Sequence, residues 1–189
     1  MRTVLFALGI AQLAIGLVNT SEIFLAENAL HRGPFGYGLF WSASGLGLVL
    51  GSLAVGSILE GRNELAVYPL AYLPWAAGIL GAAIAPNIWV GAFAMTVNGF
   101  GNGLAFPISV LIIQRHTTDL VRGRAFTVII SAHNALLGVG IVSAGGLAAA
   151  VGGRWTFGVG AALLAASSAT AGVLSRGVRA GGVVAQQAA

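Results

Sequence analysis

Apolar residues along the chain gather in six long runs, at 3–26, 35–59, 65–85, 88–113, 125–149 and 155–175. Each reaches the roughly 20 residues that a helix needs to cross a bilayer. The breaks between them read ENALHRGPFG, EGRNE, APN, QRHTTDLVRGR and VGGR, which is turn chemistry with charge. Long continuous runs are unlike the short alternating segments of an outer-membrane barrel. The pattern predicts an all-α integral membrane protein, a six-helix bundle over residues 1–176. The small, polar segment 177–189 is expected to be a disordered cytoplasmic tail. The first run is too long and too polar at its flanks for a cleaved signal peptide.

The runs differ in polarity. The first carries Gly9, Gln12, Gly16, Asn19 and Glu22 at spacings of three or four, which is one stripe on one helical face. The fourth carries Asn98, Asn102, Ala105 and Ser109 in the same way, and the fifth Thr127, Ser131, Asn134, Gly138 and Gly145. The third and sixth have no acidic, basic or amide side chain within the apolar run, and the second is rich in glycine and serine. Polar, small-rich and bland segments therefore recur with a period of three. That period suggests two three-helix repeats, the construction of many secondary transporters.

Composition sets the class. Of 189 residues, 57% are hydrophobic and 7% charged, against about 25% charged in soluble domains. The basic residues are nine arginines, scattered singly rather than clustered with aromatics, so nucleic acid is not an expected partner. Arg2, Arg62, Arg115, Arg122, Arg124, Arg176 and Arg179 fall on one side if the helices alternate, and Arg32 and Arg154 on the other. The positive-inside rule then puts both termini in the cytoplasm and the protein in the inner or plasma membrane. Without cysteine, disulfides, thiolate metal sites and cysteine nucleophiles are excluded. No metal or cofactor is expected.

Depth singles out the chemistry. At 1.5 Å per residue, His133 lies roughly 14 Å in from Arg124, and Asn98 roughly 15 Å in from the APN turn. Both reach the middle of a core about 30 Å thick. Polar groups at that depth must face partners or water. Asn19, Glu22, Asn98, Asn102, His133 and Asn134 are the candidate cavity-lining residues. Adjacent His133 and Asn134 point about 100° apart on a helix, and Asn134 is the one on the small-residue stripe. Pro107 frees a backbone carbonyl in the fourth segment. Structural alternatives stand beside these readings: interhelical hydrogen bonding for the amides and for a neutral His133, and an interfacial carboxylate reaching water for Glu22 and Glu27.

The stretches GYGLFWSASGLGLVLGSLAVGSILEGR (36–62), NGFGNGLAFPISVLIIQR (98–115) and DLVRGRAFTVIISAHNALLGVG (119–140) carry a resemblance. In this order and spacing the chain resembles the C-terminal six-helix half of a major facilitator superfamily transporter, most like the bacterial drug-efflux and secretion-effector branch. The resemblance implies half of a twelve-helix fold, built from two three-helix inverted repeats, with the first and fourth helices at a central cavity. It implies alternating-access transport of a small amphipathic organic molecule, coupled to protons, with no enzymatic activity. Gly56, Glu60 and Arg62 occupy the family's conformational latch in degenerate form, with glutamate for aspartate and the trailing glycine and basic residues missing. Arg122, Gly123 and Arg124 match the loop motif before the fifth helix. Six helices where the family has twelve imply a partner: a second six-helix half or another copy.

Two other readings compete. A truncated or split chain would pack with a partner half without transporting. An intramembrane serine protease would use Ser44 of SASG (42–45) as nucleophile and His133 as base, although such enzymes carry these residues on other helices of the six.

Overall fold

The computed structural model of the protein describes residues 2–30, 33–115 and 119–187, with the backbone alone at 2–8, 28–29, 119–122, 125 and 171–187. Helix α1 spans Arg2–Phe24 and runs into a π turn at Leu25–Ala29. It is followed by α2 (Gly33–Leu59), α3 (Glu64–Ala83), α4 (Ile88–Arg115), α5 (Asp119–Val151) and α6 (Gly153–Gln187). The described residues contain no strand.

Local chemistry sets the helix ends. The Asn63 side chain accepts the Leu65 N–H at 2.8 Å and so caps α3. Asn87 accepts from Trp89 and Val90 at 3.1 and 3.0 Å and starts α4. Asparagine satisfies amide groups that the first turn of a helix leaves unpaired. Gly61 (φ +67°) and Gly152 (φ +84°) take the left-handed conformation that lets the chain turn after α2 and α5.

Two boundaries differ from the apolar runs. The Arg122-Gly123-Arg124 stretch, expected as a loop, lies within the first turns of α5, because no proline stops the helix there; the Arg122 side chain lies outside the described residues. Helix α6 continues to Gln187 through the segment expected to be a disordered tail. That segment also lacks proline, so an existing helix can propagate into it one residue at a time; residues 188–189 lie outside the described residues. Five helices among the described residues are long and apolar enough to cross a membrane. Side chains of α6 are described only as far as Thr170, so the end of its apolar run lies outside the described residues.

The helices pack in the lateral order α5, α1, α6, α3, α4, α2. Close approaches give their directions. Gly9 meets Leu136 while Gly16 meets Leu137 and Gly140, so α1 and α5 run parallel. Gly47 meets Thr96 and Gly51 meets Gly103, so α2 and α4 also run parallel. Gly78 and Gly81 meet Ala94 while Gly101 meets Trp75, so α3 and α4 are antiparallel. Gly160 meets Val18 and Gly153 meets Phe24, so α1 and α6 are antiparallel. Exchanging α1 with α4, α2 with α5 and α3 with α6 maps this packing order onto itself, with the direction of each helix reversed.

Polar bonds pin the bundle at several levels. Ser168 Oγ donates to the Pro69 carbonyl at 2.9 Å, joining α6 to α3. Pro107 lacks the N–H that would bond the Gly103 carbonyl, and Ser52 of α2 donates to that carbonyl instead, at 3.3 Å. Arg154, at the start of α6, donates from Nη1 to the Ala83 carbonyl at 3.3 Å and from Nη2 to the Ala85 carbonyl at 3.2 Å. A guanidinium there completes carbonyls left open at the C-terminus of α3 and matches the helix dipole. Arg154→Ala is expected to cost about 1–2 kcal/mol, read as a lower unfolding temperature in detergent, with lysine recovering part of it. Equal stability of alanine variant and parent would mean the bonds contribute nothing.

Candidate functional site

Helices α1 and α4 flank a cleft that holds two cavities stacked along the bundle axis. The first, of about 190 Å³, is lined by Asn19 and Glu22 of α1, Trp41 and Ser44 of α2, Trp75 and Ile79 of α3, and Asn98 and Asn102 of α4, among others. The second, of about 120 Å³, lies toward the α1 N-terminus, between Gln12, Ser109, Phe126 and His133 with a largely aliphatic lining. Ile15, Trp75 and Asn102 border both.

The first cavity has the chemistry of a binding site. Glu22 is 4% exposed, and its Oε2 is buried without a hydrogen-bond partner. Trp41 is the side chain placed to hydrogen-bond the Glu22 carboxyl. Among the described residues, no arginine or histidine lines this cavity. A buried carboxyl lacking a cationic partner is costly in hydrocarbon and persists where something else offsets it. Asn98 is also buried, and its Oδ1 accepts the Ser44 hydroxyl at 3.3 Å. Its partner is thus on α2, and the two helices are joined at cavity depth.

Trp75 lines both cavities, and its position is fixed from behind. Its ring stacks on Tyr72 with centroids 5.6 Å apart and planes 20° from parallel. Tyr72 in turn meets Tyr68 edge-on, with the two hydroxyls 2.7 Å apart. These tyrosines sit between α3 and α6, so the two helices without acidic, basic or amide groups in their apolar runs hold an aromatic ladder behind the site. Sequence reasoning missed Trp41 and Trp75. Tryptophan favours the membrane interface, yet Trp75 stands roughly 17 Å along α3 from Glu64; that misplaced depth was the available signal.

Of the residues singled out from sequence, Asn19, Glu22, Asn98 and Asn102 come together in the first cavity, and Asn102 and His133 in the second. The His133 Nε2 is buried without a hydrogen-bond partner. Asn134 does not join them; it lies exposed on α5, outside both cavities. The polar stripe of α5 faces outward with it, since Thr127, Ser131 and Gly145 are exposed too. Ser44 and His133 line different cavities, and the Ser44 hydroxyl donates to Asn98, so the pair that proteolysis requires is not assembled. Among the described residues no cluster of three or more metal-ligating side chains occurs.

No protein-family model and no curated protein matches this chain. The site is therefore read from its own chemistry.

The latch positions are open. Gly56, Glu60 and Arg62 are exposed at the end of α2, and Arg62 Nη1 donates to the Ile58 carbonyl at 2.9 Å rather than to Glu60. The ion pair at this end joins α3 to α4 instead, Arg115 Nη1 to Glu64 Oε2 at 3.0 Å. Its arginine is 58% exposed, so water screens it and its contribution is at most about 1 kcal/mol. Arg124 is exposed, and Gly123 accepts the Thr127 hydroxyl at 3.0 Å.

Proposed function

We propose that this protein is one half of a major-facilitator-like transporter of the cell membrane, moving a small amphipathic organic molecule by proton-coupled alternating access. The observation that carries the reading is the convergence of Glu22, Asn19, Asn98 and Asn102 on a buried cavity between α1 and α4. Those are two of the three helices whose sequences carry regular polar stripes. A packing order that maps onto itself when α1–α3 are exchanged with α4–α6 supports a bundle built from two inverted three-helix repeats. Both termini are assigned to the cytoplasm on the arginine distribution.

A second half is part of the proposal. Only 11% of the α2 span and 17% of the α5 span are buried, against 50–56% for α1, α3 and α4. The exposed face of α5 carries Ser131, Asn134, Gly145 and Gly146, which suits close helix contact better than lipid tails. Another copy or a second six-helix half would cover that face, and the two halves would rock about the cleft.

The test is flux. Proteoliposomes containing the protein, alone and as a tandem fusion of two copies, are expected to export a trapped amphipathic fluorophore when a pH gradient is imposed. Release no faster than from protein-free liposomes, in both forms, would remove the transport reading and leave a packing role.

A further inference from the structure

We infer that the two stacked cavities form one bipartite site for a lipophilic organic monocation, its charged head in the first cavity against Glu22 and Trp41 and its apolar tail in the second. The inference rests on the transporter reading for its physiological meaning, but the site itself is a matter of binding.

The head compartment follows from an unpartnered carboxyl oxygen. Glu22 offers a buried oxygen that no donor among the described residues reaches, and every other described polar group lining that cavity is neutral. Trp41 and Trp75 line the same cavity, and indoles attract cations. Asn19, Asn98 and Asn102 supply amide dipoles and no net charge, so an anion would meet a carboxyl and no counter-charge. A neutral ligand would leave the carboxyl uncompensated. A monocation satisfies it.

The tail compartment follows from lining and direction. Cavity two is walled by Ala11, Ala105, Val110, Ile113, Phe126 and Ile129, with polar groups at its edges. It adjoins cavity one at Ile15, Asn102 and Trp75, which line both. Glu22 and Gln12 mark the two levels on α1, roughly 15 Å apart along the helix axis. The ligand therefore lies along the bundle, head toward the α1 C-terminus and tail toward its N-terminus.

The probes are tetramethyl-, butyltrimethyl- and hexyltrimethylammonium, radiolabelled, with hexanol and hexanesulfonate as neutral and anionic counterparts. Binding is measured on the full chain in lipid nanodiscs, with protein-free nanodiscs as the baseline. Affinity is expected to rise with chain length by roughly threefold to fourfold per methylene while cavity two fills. Glu22→Gln should weaken every cation by roughly tenfold or more and leave hexanol unchanged. Trp41→Leu should weaken the cations to a smaller degree, and serves if Glu22→Gln does not fold. Val110→Trp should abolish the advantage of hexyl over methyl without touching tetramethylammonium, and Phe126→Ala should extend the preference to longer chains. Hexanesulfonate binding as tightly as hexyltrimethylammonium, cation affinity indifferent to both head-compartment variants, or a chain-length slope unaltered by both tail-compartment variants would overturn the site. Head-and-tail binding without flux overturns the transport reading and keeps the site. Flux indifferent to headgroup charge and to Glu22→Gln does the reverse.

Discussion

Gly99→Val is expected to lower the unfolding temperature of the purified bundle far more than any polar substitution in the cleft. A Cβ at Gly99 would land on the Ser44 carbonyl, with Leu48 N only 3.0 Å away. Both are backbone of α2, which cannot swing aside as a side chain can. Overpacking of this kind typically costs about 1–3 kcal/mol, and a clash with backbone on the most extensive helix interface belongs at or above the top of that range. Gly16→Val should act similarly, because a Cβ there meets the backbone of Leu137, Gly140 and Ile141 on α5. The control is Gly138→Ala. Nothing lies within 4 Å of a Cβ at that position, and alanine favours helix by about 0.5–1 kcal/mol over glycine, so that variant should be neutral or slightly stabilised. Thermal unfolding of the three variants in one detergent decides it. Equal melting of Gly99→Val and Gly138→Ala would mean that α2 and α4 do not pack through this face.

That contrast reflects how association works in lipid. Leucine gains little by leaving acyl chains for another helix, so close backbone approach and interhelical hydrogen bonds hold a membrane bundle together. It also explains why similar-looking glycines divide. Gly47, Gly51, Gly99 and Gly103 are buried at the α2–α4 contact, and Gly16 and Gly140 at the α1–α5 contact, whereas Gly45, Gly138, Gly145 and Gly146 face open space.

This division marks the limit of what the sequence could tell. Helix positions were readable, since apolar run length and turn residues govern them locally; Asn63 and Asn87 sit where the caps are needed. The stripes of α1 and α4 were readable as faces, and those faces line the cleft. The stripe of α5 has the same periodicity but turns outward, leaving His133 rather than Asn134 at a cavity. Periodicity identifies which residues share a face. It does not say which way that face points, because the choice is made by contacts such as Gly16 on Gly140 between distant parts of the chain. Trp41 and Trp75 were missed for a related reason: their roles depend on what α1 and α4 bring opposite them, and the depth of Trp75 alone does not name its partners.

Glu22→Gln is expected to abolish pH-gradient-driven flux while leaving the bundle as stable as before or more so. The two outcomes have one cause. Glu22 is 4% exposed with an unpartnered oxygen, and a buried polar group left unsatisfied costs about 1–3 kcal/mol. Glutamine keeps the shape and cannot ionise, so the folded state never has to hold a carboxylate without a counter-charge. If Glu22 is where proton and substrate exchange, the same change removes the group that both need. Functional sites commonly hold such destabilising groups, and their removal trades activity for stability. A glutamate serving only to knit α1 to α2 through Trp41 would behave oppositely, with stability falling and flux declining in proportion to the folded fraction. His133→Ala is the companion variant. Its Nε2 is likewise buried without a partner, and its removal should slow flux with little change in melting, since the imidazole makes no interhelical hydrogen bond to lose. Flux and unfolding temperature measured on the same preparations separate the alternatives. Unchanged flux in both variants would detach the cleft from transport, whatever the melting curves show.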